Sequence, residues 1–127
     1  MELVGLVITI ALLEYMVFTG YVGWARGKFG VNAPAVSGNA DFERYYRVQM
    51  NTLEQLMVFI PAILLFANYG NATWAAGVGV LFVVGRPLYF LGYVKDSAKR
   101  GPGFLLGFAA NVILVIGSLV AIIGNLV

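Results

Sequence analysis

Four apolar stretches, each with its polar residues drawn toward one end, divide the chain. The first, Leu3 to Trp24, is about 22 residues long, where a helix needs roughly 20 to cross the hydrocarbon core of a bilayer. It predicts one membrane span, with Tyr21 and Trp24 suited to an interfacial aromatic belt. The second pattern passes without a break signal from the charged DFERYYR into the apolar MVFIP. Read as one helix from Asp41 to Asn68 it is roughly 42 Å long against a core of about 30 Å, so its first turns stand in the headgroup region. The third span runs from Thr73 to Val94 and the fourth from Phe104 to Ile123. Pro61 and Pro87 are kink points of a kind that membrane helices tolerate when neighbours satisfy the freed carbonyl.

The connections differ in kind. Between the first two spans, ARGKFGVNAPAVSGNA reads as a loop of about sixteen residues, long for a small bundle, with Ser37, Asn39 or Asp41 placed to cap the helix that follows. Asn68 to Ala72 is a short uncharged turn, whereas KDSAKRGPG is basic and closes on Gly-Pro-Gly. In the fourth span, Gly103 with Gly107 and Gly117 with Ala121 form small-xxx-small pairs that permit close helix approach, and Asn111 is suited to an interhelical hydrogen bond. The expected fold class is an all-α membrane protein, a four-transmembrane-helix bundle forming a single domain over residues 1–127.

Composition agrees and narrows the chemistry. Hydrophobic residues make up 61% and charged residues 11%, far from the roughly 25% charged of soluble domains. Net charge is only +2 and no basic run is interleaved with aromatics, which sets nucleic acid aside. Met-Glu-Leu-Val has no basic leader character, so the first apolar stretch is expected to stay as a span. With no cysteine and no histidine, the chain has no thiol nucleophile, no imidazole base and none of the usual zinc or haem ligands; its carboxylates are too few and scattered to predict a metal. Nucleophilic or redox chemistry must therefore arrive with a cofactor or substrate, which the protein binds and orients with Arg, Lys, Tyr, Asn and Glu. All the Lys and Arg residues lie in the first or third loop or in helix segments adjoining them, so the positive-inside rule puts both loops in the cytoplasm and both termini on the other side.

Two polar columns converge on that basic end. Arg47, Asn51, Glu54 and Val58 follow steps of four, three and four and share a helix face; Arg86, Tyr89, Tyr93 and Asp96 follow steps of three, four and three. Glu14 lies near the middle of the first span, where an ionisable group is costly and is by default a functional-site hypothesis. Two readings stand at this point: a ligand site, or an ion-pair network that only fixes packing. As a site, the first column suits a zwitterion whose carboxylates meet Arg47 and whose ammonium meets Glu54. Tyr89, Tyr93, Arg86 and Arg100 could lend hydrogen bonds and positive potential to a bound thiolate.

FERYYRVQMNTLEQ and GRPLYFLGYVKDSAKR resemble the MAPEG family, the membrane-associated proteins in eicosanoid and glutathione metabolism, and the four-span layout agrees over essentially the whole chain. The resemblance implies a homotrimer with sites between subunits, glutathione as co-substrate, and a transferase or peroxidase acting on lipophilic electrophiles or lipid hydroperoxides. It implies Arg47, Asn51 and Glu54 as glutathione ligands, with Arg86, Tyr89 and Tyr93 approaching from the adjacent subunit. Arg100 and Tyr93 then stand beside the sulfur as the catalytic pair. Two positions depart from the family: Gln55 stands where some members have tyrosine, and Gly27 where an arginine is proposed to act on the lipid substrate, which leaves either Arg26 or Lys28 as its replacement or a different substrate chemistry. Two alternatives remain: a non-catalytic lipid-binding member, and a small multidrug-resistance-type exporter working through Glu14. Compactness points to a bacterial inner membrane.

Overall fold

The computed structural model describes the backbone of residues 1–127 and every side chain except that of Ser97. It contains helices α1 (Glu2–Phe29), α2 (Ala40–Tyr69), α3 (Ala72–Lys95) and α4 (Gly101–Leu126), with a 3₁₀ turn at Ser97–Arg100 joining α3 to α4. All four helices are long and apolar enough to cross a membrane. Their outward faces carry Met16, Met57, Trp74 and Leu105, each well over half exposed, a surface that suits lipid and not water.

Two boundaries differ from the sequence expectation, both because a residue read as loop is compatible with helix. The first helix continues through ARGKF to Phe29, which shortens the expected loop to Gly30–Asn39. Arg26 and Lys28 fall in its last turn, where cations favour the helix dipole. Gly30 ends it at φ 71, a left-handed conformation that glycine adopts freely, with its N–H donating to the Arg26 carbonyl at 3.0 Å. At the other connection, α4 starts at Gly101 and not at Phe104, because Pro102 in the first turn gives up only an N–H that has no intrahelical partner there. Of the three candidate caps, Asn39 is the one used, its side chain accepting from the Phe42 N–H at 3.0 Å; Asn71 caps α3 through the Trp74 N–H in the same way.

Helices α2 and α3 form the central pair, and α1 and α4 each pack on both. Phe59 stacks on Phe82 with ring centroids 4.1 Å apart, surrounded by Val4, Val7, Ala11, Ile63 and Leu114. Helices α2 and α4 run parallel in a fixed register. Asn111 Nδ2 donates to Gln55 Oε1 at 3.0 Å, Ser118 Oγ to the Ala62 carbonyl at 3.2 Å and Asn125 Nδ2 to the Tyr69 carbonyl at 3.5 Å, each across 56 residues. These rungs recur every seven residues, the repeat that keeps one helix seam facing its partner. Near the basic end α4 crosses α3 at close range: a Cβ on Gly103 would lie 2.2 Å from the Tyr89 backbone nitrogen, so only glycine fits.

Candidate functional site

Where α2, α3 and the start of α4 meet at the basic end, a cleft of about 340 Å³ is lined by Arg47, Asn51, Tyr89, Tyr93, Arg100 and Phe104. Its size lies in the ~300–1,000 Å³ range of small-molecule sites. Each wall follows from local structure. Helical spacing brings Arg47 and Asn51 to one face of α2, and Tyr89 and Tyr93 to one face of α3. The 3₁₀ turn, capped by Asp96 Oδ1 accepting from the Ala98 N–H at 3.0 Å, returns Arg100 toward α3. The Gly103 crossing then seats Phe104 beside Tyr89, their rings 6.2 Å apart.

On α2, Arg47 and Glu54 form an ion pair two turns apart, Nη2 to Oε1 at 3.1 Å and Nη1 to Oε2 at 3.5 Å, spanning the position of Asn51. Both side chains are about half exposed, at 47% and 52%, and pairs in that setting contribute only about 0–1 kcal/mol. On the facing wall, Tyr89 stacks on Tyr93 at 5.4 Å, and the Arg100 guanidinium lies 5.9 Å from the Tyr93 ring centroid. Arg47 and Arg100 both line the cleft, and the Arg86 guanidinium lies behind it, 4.5 Å from the Tyr89 ring centroid, so three cations gather around this space.

The structure therefore gathers Arg47, Asn51, Tyr89, Tyr93 and Arg100 around one cleft within a single chain, with Glu54 beside them through its pair with Arg47. The resemblance implies that Arg86, Tyr89 and Tyr93 reach the site from an adjacent subunit. Here α2 and α3 of one chain pack closely enough for Arg86 Nη1 to donate to Asn51 Oδ1 at 2.9 Å. Arg86 itself is fully buried behind the cleft wall, also donating to Thr52 Oγ1 at 3.3 Å and lying 4.5 Å from the Tyr89 ring centroid.

Arg26 and Lys28, expected near a lipid substrate, lie outside this cleft. Arg26 Nη1 donates to the Ala35 carbonyl at 2.7 Å, and its guanidinium covers the Phe42 ring at 4.9 Å, clasping the Gly30–Asn39 loop onto α2. Lys28 Nζ rests over Trp24 at 4.8 Å. Gln55 is engaged with Asn111 on the α4 side. Glu14 faces a separate, largely apolar groove of about 350 Å³ with Phe18, Pro87 and Phe90. Sequence reasoning missed Thr52 and Phe104. Thr52 was readable as the neighbour of a polar column with a hydroxyl one step around the helix. Phe104 depended on where α4 begins.

Residues 4–120 match the MAPEG family. An uncharacterised protein of Synechocystis sp. is 47% identical over 122 residues, covering 96% of this chain and 89% of that protein. Microsomal glutathione S-transferase 2 of Homo sapiens is 34% identical over 114 residues, covering 90% and 78%. Leukotriene C4 synthase of Bos taurus is 30% identical over 100 residues, covering 76% and 67%.

Proposed function

The chain belongs to the MAPEG family, and from that premise we propose that it is a glutathione-dependent enzyme that presents the glutathione thiolate to electrophiles dissolved in the membrane. The carrying observation is the cleft itself, which sets an exposed Arg–Glu pair on one wall opposite two stacked tyrosines and Arg100 on the other. Glutathione has two carboxylates, one ammonium and one thiol. Arg47 takes a carboxylate and Glu54 the ammonium, so the ligand replaces both halves of a weak pair at once. Asn51 adds an amide donor between them.

With its zwitterionic end held on α2, the thiol lies against Tyr93 and Arg100. A free thiol titrates near pH 8.5, and adjacent cations lower that value. Tyr93 O–H donates a hydrogen bond to the sulfur and Arg100 supplies the positive potential; together they hold the thiolate without a histidine or cysteine in the chain. Conjugation follows when the sulfur forms a bond to an electrophilic carbon and that carbon's leaving group departs with the electron pair. For a hydroperoxide, attack on the peroxide oxygen releases the alcohol, and a second glutathione reduces the sulfenate to give the disulfide and water. The microsomal glutathione S-transferase 2 relative favours such chemistry over lipid presentation alone. The assembly we propose is a homotrimer, with the basic loops in the cytoplasm.

Equilibrium binding of glutathione to the detergent-purified protein, with ultraviolet difference absorbance for bound thiolate, tests this reading. Binding lost in Arg47→Ala, and a thiolate signal weakened at saturation in Tyr93→Phe, is the expected result. Wild-type protein that binds no glutathione at millimolar concentration overturns it. Binding without turnover of any electrophile or hydroperoxide instead supports a lipid-presenting member.

A further inference from the structure

Arg86 is a buried cation whose visible partners are all neutral. Asn51 and Thr52 satisfy Nη1, while Nε and Nη2 have no hydrogen-bond partner among the described residues. On the α4 side the guanidinium meets Gly107, which offers no side-chain acceptor; a Cβ there would lie 3.6 Å from Nη2. On α2, Glu54, three residues on from Asn51, is engaged by Arg47. A buried charge left with neutral partners is strongly unfavourable, more so at membrane depth. That leaves α1 to supply the opposite charge.

Glu14 meets that need. It is partly buried on α1, its Oε1 is buried without a partner among the described residues, and it lines a groove together with Pro87, the residue next to Arg86 on α3. The unmet groups are complementary: one acceptor on Glu14, two donors on Arg86. We propose that Glu14 is the counter-ion of Arg86 and a positioning residue for the cleft. It holds the guanidinium so that Nη1 fixes the Asn51 amide at 2.9 Å while the cation's face supports the Tyr89 ring at 4.5 Å. Both of those residues line the cleft, so a charge on α1 that never touches the ligand shapes two walls that do. The inference rests on the glutathione reading for its readout, but the pairing itself does not.

The test is a double-mutant cycle on the full chain: wild type, Glu14→Leu, Arg86→Leu and the double variant, with Glu14→Gln as the conservative replacement. Glutathione affinity, bound-thiolate absorbance and thermal stability in detergent are measured for each. Glu14→Leu weakens glutathione binding about tenfold, because the guanidinium that fixes Asn51 and supports Tyr89 loses its opposite charge, and lowers the thiolate signal at saturation. Glu14→Gln, which keeps the shape and an acceptor but removes the charge, recovers little of either. In the Arg86→Leu background Glu14→Leu has no further effect. Equal losses in both backgrounds, or an unchanged affinity and thiolate signal in a folded Glu14→Leu protein, overturn the proposal. If Glu14→Leu fails to fold, the double variant decides: removing both charges restores folding if they are a pair, and does not if Glu14 acts elsewhere. If wild type binds no glutathione, the enzyme reading fails separately, and non-additive thermal stabilities still decide the pairing.

Discussion

At the scale of single residues, binding and stability separate. Arg47→Ala removes a half-exposed pair worth at most about 1 kcal/mol to the fold, so thermal unfolding shifts little while glutathione affinity falls at least about tenfold. Calorimetric titration beside a melting curve shows the split. Thr52 behaves in the opposite way. Its hydroxyl is fully buried, donates to the Val48 carbonyl at 2.7 Å and accepts from Arg86. Thr52→Val leaves a buried donor of Arg86 short of a partner and lowers stability by about 1–3 kcal/mol, read as a reduced midpoint in denaturant. Arg26→Gln separates loop from site: it loosens the Gly30–Asn39 segment, seen as faster limited proteolysis there, and leaves glutathione affinity within about twofold, since Arg26 is engaged with Ala35 and Phe42 and lies outside the cleft.

At the scale of elements, the α3–α4 crossing sets the shape of the site. Gly103→Ala places a methyl group against the Tyr89 backbone, where an ideal Cβ stands 2.2 Å from the nitrogen and 2.6 Å from Cα. Overpacking of this kind costs about 1–3 kcal/mol, and the helices must part to accept it. We expect a lower melting temperature together with weaker glutathione binding, because Tyr89 and Phe104 move apart. Gly77→Ala, with no atom within 4 Å of its added Cβ, serves as the neutral control in both measurements. The four spans and the two polar columns were legible in sequence because membrane thickness and helical period leave few other solutions. The close approach at Gly103 was legible as a possibility only, since small residues permit contact without naming the partner. Helix ends were read less well: Lys, Arg and Pro102 look like loop residues until the dipole and the first helical turn are taken into account. That Arg86 sits behind the wall and not on it follows from how α2 packs on α3, which helical spacing along one chain segment does not contain.

For the whole molecule, every wall of the cleft belongs to the end of the bundle that holds the basic residues, so orientation determines which compartment the cleft faces and, on the proposed function, which one supplies the thiol. In the orientation proposed above, that end faces the cytoplasm, where reduced thiols are kept. The cysteine-free chain makes this directly measurable. A single cysteine introduced at the exposed Lys99 should resist an impermeant maleimide in intact cells, whereas one at the exposed Thr73 should react; the reverse pattern would place the cleft outside. The ion pair on α2 has one more effect at this scale. Arg47 and Glu54 answer each other's charge, so a solute that engages one of them alone leaves the other unpaired. A fatty acid anion would gain Arg47 only by stranding Glu54, and an amphipathic amine would do the converse. The zwitterionic γ-glutamyl end of glutathione replaces both partners at once, leaving the second carboxylate and the thiol to the rest of the cleft. On the proposed function, charge balance at the Arg47–Glu54 pair then favours the peptide over singly charged amphiphiles before shape is consulted.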